Sequence, residues 1–322
     1  MSKVNRQTDF AIAIAWPETY CKQPGSWYDS ITHILGFSNN YYYKVGHAAL
    51  VLVNSKTKKC HYFDFGRYHA PFQYGRVRSE QTDHGLKVNT IAQISQNGQR
   101  LENFTQILTE LQLNHECHGE GALHASYCKI DFEQSYQKVL QLQKRSPIAY
   151  GPFKYKGSNC SRFVNTSIVA GKPDWIYIFK LKYFVLLTPT PLNNVNFLPK
   201  KVIIPKLLKT KAFCPIPIAD IRKLKHTLEQ PPKNDKIPDN AQWLSGEGSG
   251  SWFSINQDLD NFRIARYSPE GELECSGVFK QANINSFNIN LPFQIDHLSH
   301  CQSVVVKQSE NKILFKRLDH ES

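Results

Sequence analysis

The stretch between Gly46 and Gly66 constrains the fold of this chain most strongly. Gly46-His-Ala-Ala-Leu-Val-Leu-Val-Asn54 is a continuous apolar run, which is typical of a strand in the centre of a sheet. A polar turn, Ser55-Lys-Thr-Lys-Lys59, follows it, and Cys60-His-Tyr-Phe-Asp-Phe-Gly66 returns as a second strand. The pattern therefore predicts an antiparallel hairpin inside a buried sheet.

Length and composition place this hairpin in a protein of mixed class. A chain of 322 residues predicts two domains. Its content of 12% aromatic residues with a single Met favours an α+β protein over a helical bundle. We predict an α+β amino-terminal domain of antiparallel sheet plus helices (1–198), a basic proline-rich connector (199–240) and a smaller antiparallel β domain (241–322).

The positive charge of the chain is concentrated in the predicted connector. The net charge is +12, and the segment from Lys200 to Lys236 holds ten Lys and Arg against three Asp and Glu. Because no nucleic-acid-binding motif accompanies this segment, we interpret it as a solvated linker rather than a specific nucleic-acid site. An alternative is a tether to an acidic polymer, which modest salt would release.

The remaining bulk features indicate a cytoplasmic protein. There is no export signal, and no uncharged apolar run is long enough to span a membrane. The eight cysteines are scattered without the spacing of a disulfide framework, so we expect free thiols in a reducing compartment.

The segment from Gly157 to Gly171 predicts a helix that begins at a cysteine. Ser158 or Asn159 can cap the helix, and Gly171 with Pro173 ends it. Cys160 then lies in the first turn, where free N–H groups and the helix dipole favour thiolate over thiol. A small buried core cysteine is the alternative.

A thiolate nucleophile needs an imidazole to share its proton and a group to orient that imidazole. His47 is the best of the 12 histidines, because it begins the central strand directly after a glycine. Alternation of side chains along the hairpin places either Asp64 or His61 on the same face as His47, depending on the register. We favour Asp64 and keep His61 open.

These motifs carry a resemblance to known enzymes. Asn159-Cys-Ser-Arg-Phe-Val resembles the nucleophile signature of the lecithin:retinol acyltransferase family. Gly46-His-Ala-Ala-Leu-Val-Leu with its hairpin resembles the histidine strand of circularly permuted NlpC-type papain-like enzymes. In this chain His47 precedes Cys160, which is the permuted order. The layout as a whole is similar to that of an uncharacterised bacterial family.

The resemblance implies a permuted papain-like domain that works as a cysteine hydrolase, thiol protease or acyltransferase. Cys160 would attack an amide or ester carbonyl with His47 as base, on a small-molecule or peptide-like substrate and with no cofactor. The sequence lacks the membrane tail of many such acyltransferases, and the third position after Asn159 is Arg162 rather than histidine. The alternative is a binding protein that keeps the fold without catalysis.

Four residues near the motifs are candidates for substrate binding. Tyr150 and Tyr155 precede Cys160 closely, so a hydroxyl group from either could help to hold an oxyanion. Arg67 and Arg162, with Arg76 and Arg78, are expected either to converge on a substrate carboxylate or phosphate or to form a solvated face.

Two further motifs carry less weight. The segment from His115 to Cys128 holds five His and Cys residues, but their spacing fits no standard zinc site, and we predict no metal. Gly246-Glu-Gly-Ser-Gly250 lacks the lysine and the helix of a phosphate-binding loop, so we predict a turn there.

Overall fold

The computed structural model describes residues 8–23, 29, 34, 38–185, 187–207, 225–282 and 287–318. Over these ranges the strands form two seven-stranded antiparallel sheets and one small three-stranded sheet. The strands of the amino-terminal half are β1 (Asp9–Trp16), β2 (Cys21–Lys22), β3 (Ser38–Asn39), β4 (Tyr42–Tyr43), β5 (His47–Val53), β6 (Cys60–Gly66), β7 (Tyr74–Ser79), β8 (Leu123–Ile130), β9 (Ile148–Ala149) and β10 (Val202–Ile204).

The first large sheet has the strand order β10-β8-β1-β5-β6-β7-β9. Every residue of β5 is buried, because helices cover both faces of the sheet at this point. The predicted hairpin is present, with Ala49 opposite Asp64 and Val53 opposite Cys60. Strand β10 pairs with β8, so part of the predicted connector belongs to this sheet.

Helices divide the core of this half into two layers. They are α1 (Phe104–Leu113), α2 (Phe132–Arg145), α3 (Cys160–Ala170), α4 (Trp175–Tyr183) and α5 (Pro191–Asn196). Helix α1 packs its apolar residues with the alternate side chains of β1 and β5 that include Ile12 and Val51. Helices α2 and α3 cover the opposite face, which includes Ala13 and Leu50.

The second large sheet lies in the carboxyl-terminal part. Its strands are β11 (Gln242–Leu244), β12 (Ser251–Asp258), β13 (Asn261–Tyr267), β14 (Leu273–Gln281), β15 (Gln294–His300), β16 (Ser303–Gln308) and β17 (Asn311–Arg317). The side chain of Gln242 on one edge strand bonds the backbone at Phe293 and at Ile295 of the other edge. The sheet therefore curls around its own apolar core.

The architecture confirms the predicted α+β class with a separate carboxyl-terminal β domain. The exact boundaries at 198 and 240 stay predictions, and residues 208–224 in the middle of the connector lie outside the described ranges. The segment from Gly246 to Gly250, which we expected to be a turn, is bonded to residues 67–69, directly after β6.

Candidate active site

Cys160 is the first residue of α3. Asn159 caps the helix, since its side-chain oxygen accepts a hydrogen bond of 2.8 Å from the backbone N–H of Arg162. The prediction of a capped helix that begins at a cysteine is confirmed, with Asn159 rather than Ser158 as the cap. Cys160 is 7% exposed, so its thiol is almost completely buried.

His47 is the first residue of β5, at the end of the sheet. Trp16 of β1 is the residue paired with His47 in the sheet, and its ring stacks on the imidazole with 5.9 Å between the ring centres. Gly46 has a φ of +77°, and a Cβ atom there would lie 2.9 Å from the carbonyl oxygen of Trp16. Glycine is therefore required where the chain turns into β5, which fits the close backbone approach expected from the sequence.

The imidazole of His47 faces Asp64 through Nε2 and lies close enough to Cys160 for the charges of the two side chains to interact. His47 Nε2 lies 3.4 Å from Asp64 Oδ2, and Nε2 has no well-aligned acceptor among the described residues. Such loose geometry is common in catalytic sites without substrate.

Asp64 is completely buried, and other groups fix it in place. Arg78 donates two hydrogen bonds to it, of 2.9 Å to Oδ1 and 2.5 Å to Oδ2. The hydroxyl group of Tyr62 donates a third, of 3.1 Å, to Oδ2. Because both oxygens are held, the carboxylate presents a fixed acceptor to His47.

The electrostatics of the site favour a charged Cys160–His47 pair. Burial disfavours imidazolium, but interactions with Asp64 and Cys160 outweigh this effect and raise the pKa of His47 to about 9. Burial likewise favours the thiol, yet His47 and the backbone N–H of Ala48 lower the pKa of Cys160. Burial also opposes ionisation of Asp64, but Arg78 and His47 hold its pKa well below the usual range. Thiolate and imidazolium can therefore coexist.

The structure attaches Tyr150 to the segment that leads into Cys160 and leaves Tyr155 away from the pair. Tyr150 forms a bridge with Ser158, its ring stacks on Phe65, and its hydroxyl group lies 4.0 Å from Cys21 Sγ. Tyr155 is 86% exposed, and among the described residues no contact joins it to Cys160 or His47. The role of the Tyr150 hydroxyl group in stabilising an oxyanion stays a prediction.

His61 lies on the opposite face of the hairpin from Asp64. Its Nδ1 is 3.0 Å from Glu80 Oε1, and its ring packs against Phe132 and Tyr136 of α2. The register of β5 with β6 explains the choice, since Asp64 is paired with Ala49 and so shares the face of His47. Of the two candidates, Asp64 is the one that contacts the imidazole.

The four arginines do not converge on an open anion site. Arg67 pairs with Glu247, Arg76 with Asp83, and Arg78 with Asp64. Arg162 instead donates to the backbone carbonyl groups of Pro152 and Gly157. A direct role of Arg67 or Arg162 in substrate binding stays a prediction. Both guanidinium groups already bind carboxylate or carbonyl oxygens of the protein itself.

Sequence reasoning missed two aromatic residues of the site, Tyr62 and Tyr68. The Tyr68 ring lies 6.5 Å from the His47 ring and stacks on His118 at 4.6 Å. Tyr62 could have been found, because it is two residues from Asp64 and therefore shares its face. Tyr68 follows the end of β6, where the alternation of side chains between the two faces of a strand no longer predicts which way a side chain points.

Within the described ranges, no group of three or more His, Cys, Asp or Glu side chains is arranged to hold a metal ion. Over the same ranges, none of the helices has both the length and the hydropathy needed to cross a bilayer.

Comparisons with known proteins give two family matches. The model of a family described as type VI secretion system effector TseH-like matches residues 11–175, which is half of the chain. A second model, described as the DUF6695 C-terminal domain, matches residues 241–318. A crystal structure of the type VI secretion system effector TseH aligns with 19% identity over 52% of this chain and 78% of that chain, at a TM-score of 0.35. Among curated proteins there is no match.

Proposed function

The chain belongs to the type VI secretion system effector TseH-like family, and we propose that it acts as a cysteine hydrolase with Cys160 as nucleophile. The family match supports the papain-like fold that the sequence motifs predict. The observation that carries the proposal is the arrangement of the three residues: Cys160 begins a helix, and the buried His47 faces Asp64 and interacts with the charge of Cys160. Asp64 would orient the imidazole, as the third member does in other triads.

In the proposed reaction, the Cys160 thiolate attacks the carbonyl carbon of an amide or ester. A C–S bond forms, the C–N or C–O bond breaks, and His47 gives its proton to the leaving group. Water then attacks the thioester carbonyl while His47 takes up a proton from it; a C–O bond forms, the C–S bond breaks, and release of the acid restores the thiolate–imidazolium pair. An acceptor other than water would make the chain an acyltransferase.

The finer features of the sequence resemblance also belong to this proposal. The order of His47 before Cys160 supports a permuted papain-like domain, and Asn159-Cys-Ser-Arg-Phe-Val supports kinship with the acyltransferase branch. As an effector of a secretion system, the chain would leave the cell that makes it. The cytoplasmic location expected from its sequence would then apply before delivery.

One observation favours the alternative of a binding protein without catalysis. Cys160 and His47 are only 7% and 6% exposed, so a substrate carbonyl needs an opening to reach the sulfur atom. The two functions differ in one measurable property, because only the hydrolase requires Cys160 to react faster than an ordinary thiol.

The test is alkylation of the folded protein by iodoacetamide at pH 6, read for each cysteine by mass spectrometry. We expect Cys160 to react at least about tenfold faster than the same thiol in the unfolded chain, because the thiolate is the reactive form. Cys60 and Cys117 serve as internal controls, since burial raises the pKa of each to about 12.

His47→Ala should remove the rate advantage of Cys160. His61→Ala is the matched control, because His61 lies on the other face of the same hairpin and pairs with Glu80. If the folded and unfolded chains react at the same rate, or if both variants behave alike, the hydrolase proposal is wrong and the binding function is favoured.

A further inference from the structure

The segment from Gly246 to Gly250 attaches the carboxyl-terminal β domain to the end of β6. Tyr68 and Ser249 form a parallel bridge. The backbone N–H of Gly248 donates to the carbonyl oxygen of Arg67 at 2.9 Å, and that of His69 donates to Ser249 at 3.4 Å. We call the segment 246–250 the docking loop.

The glycines of the docking loop permit this close approach. A Cβ atom at residue 246 would lie 2.5 Å from the backbone nitrogen of His69, and one at residue 248 would lie 3.0 Å from the ring of Tyr68. The loop therefore packs directly against the residue whose ring faces His47.

Glu247, in the middle of the docking loop, is buried and makes its hydrogen bonds with the amino-terminal half. Its Oε2 accepts a bond of 2.5 Å from Arg67 Nη1, and its Oε1 accepts one of 2.7 Å from the backbone N–H of Gln73. A buried guanidinium needs such a partner, because an uncompensated charge away from water is costly.

Arg67 connects Glu247 to Cys21 and Tyr150. Its Nη2 lies 3.0 Å from Cys21 Sγ, and its guanidinium carbon lies 4.9 Å from the centre of the Tyr150 ring. The segment that contains Tyr150 is bonded to the residue two before Cys160, because Gly151 N–H donates to Ser158 O at 2.9 Å. The contacts thus run from Glu247 through Arg67 to Tyr150.

We propose that Glu247 is a positioning residue for the hydrolase, and that the carboxyl-terminal β domain completes the active site. This inference rests on the proposed function. Glu247 orders Arg67, Arg67 holds the Tyr150 ring, and the Tyr150 hydroxyl group is thereby placed to stabilise an oxyanion on the substrate. The domain is then a part of the enzyme rather than an independent binding module.

The experiment separates acylation of Cys160 from its alkylation. Acylation by p-nitrophenyl acetate develops an oxyanion, whereas alkylation by iodoacetamide does not. For Glu247→Gln we expect acylation to slow by about tenfold or more, which is part of the effect of losing one oxyanion donor. Alkylation should stay within about twofold, because Cys160 and His47 keep their contacts. Tyr150→Phe should act in the same direction, and the double variant should lose less than the product of the two effects.

Glu274→Gln is the matched control. Glu274 also lies beside the contact between the two parts of the chain, where it accepts bonds from Arg266 and from Ser251, but it does not contact Arg67. This variant should keep both rates within about twofold of the original protein.

Three outcomes would overturn the inference. Glu247→Gln could acylate at the original rate, it could lose acylation and alkylation equally, or Glu274→Gln could cause the same loss as Glu247→Gln. A different result, in which Cys160 of the unaltered protein reacts with neither reagent faster than an unfolded thiol, would reject the proposed function and with it the role of Glu247.

Discussion

Two buried clusters in this protein both contain histidine, aspartate and arginine and differ in the pKa of their histidine. The catalytic cluster, named for the proposed function, consists of Cys160, His47, Asp64 and Arg78. The interface cluster lies where the two parts of the chain meet and consists of His69, Arg76, Asp83 and Arg266. Each has a buried carboxylate held by arginine, with Arg78 on Asp64 and with Arg76 and Arg266 on Asp83.

The number of guanidinium groups near each histidine explains the difference. In the catalytic cluster one arginine faces one carboxylate, and Cys160 offers a second negative charge, so a positive His47 is balanced. His69 is buried away from water and lies near the positive charges of Arg266 and Arg76. Burial and these charges together lower the pKa of His69 well below its ordinary value. Its Nε2 instead shares a 2.8 Å hydrogen bond with Ser251. A buried histidine beside an aspartate is therefore not by itself a catalytic base; the sum of the neighbouring charges decides.

The largest expected effect comes from removing either carboxylate. Asp64→Asn and Asp83→Asn each leave buried arginine without its full partner, so each should lower the free energy of unfolding by about 3–5 kcal/mol. Only Asp64→Asn should also slow alkylation of Cys160 at pH 6. Urea unfolding and the alkylation rate measure the two effects. Equal loss of reactivity in both variants would show that the clusters do not differ as described.

Replacing the histidines should separate the clusters by reactivity. His47→Ala should slow acylation of Cys160 by about 10²-fold or more, the usual contribution of a general acid–base group. His69→Gln keeps a neutral hydrogen-bonding side chain and should stay within about threefold of the original rate. Stopped-flow acylation with an activated ester measures the acylation rate of Cys160 in both variants. A large loss of this rate in His69→Gln would contradict the assignment of His47, and not His69, as the base.

The pH dependence of stability should reveal the neutral histidine. Since the folded pKa of His69 lies below its ordinary value of 6.5, its contribution to stability is present above pH 6.5 and is lost as the pH falls below it. Each such histidine lowers the free energy of unfolding by up to about 1.4 kcal/mol per pH unit in this range. We expect His69→Gln to reduce the slope of the free energy of unfolding against pH, measured by urea unfolding between pH 6.5 and 5. An unchanged slope would mean that His69 is already protonated in the folded protein.

The smallest expected effects come from the hydroxyl groups that support the carboxylates. Tyr62 donates to Asp64 at 3.1 Å and Thr82 donates to Asp83 at 2.8 Å. Tyr62→Phe and Thr82→Val should each lower the free energy of unfolding by about 1.5–3 kcal/mol, the range for hydrogen bonds to charged groups. In thermal unfolding the two variants should be similar, whereas only Tyr62→Phe should alter the alkylation rate of Cys160.

The sequence was informative about the catalytic cluster because its members lie on regular elements. The apolar run after His47, the cap before Cys160 and the alternation along β6 each follow from a local period or a local hydrogen bond. Arg78 lies directly opposite Asp64 in the register of β6 with β7, so its pairing follows once that hairpin is known.

The docking loop and the interface cluster could not be predicted in the same way. Arg67 and Glu247 are 180 residues apart, and no periodicity links them. The segment Gly246-Glu-Gly-Ser-Gly250 has the composition of a turn, and only the packing of the two parts of the chain gives its carboxylate a partner. The partners of the four arginines were not predicted either, because a guanidinium can pair with any carboxylate or carbonyl group that the fold brings near it.

The most direct test of the charged Cys160–His47 pair is an NMR titration of the His47 imidazole in the unaltered protein and in Cys160→Ala. We expect His47 to titrate near the pKa of about 9 that its interactions with Asp64 and Cys160 produce, and to titrate at lower pH once the thiol is removed. A midpoint at or below the ordinary value of 6.5 in the unaltered protein, or the same midpoint in both proteins, would contradict the account.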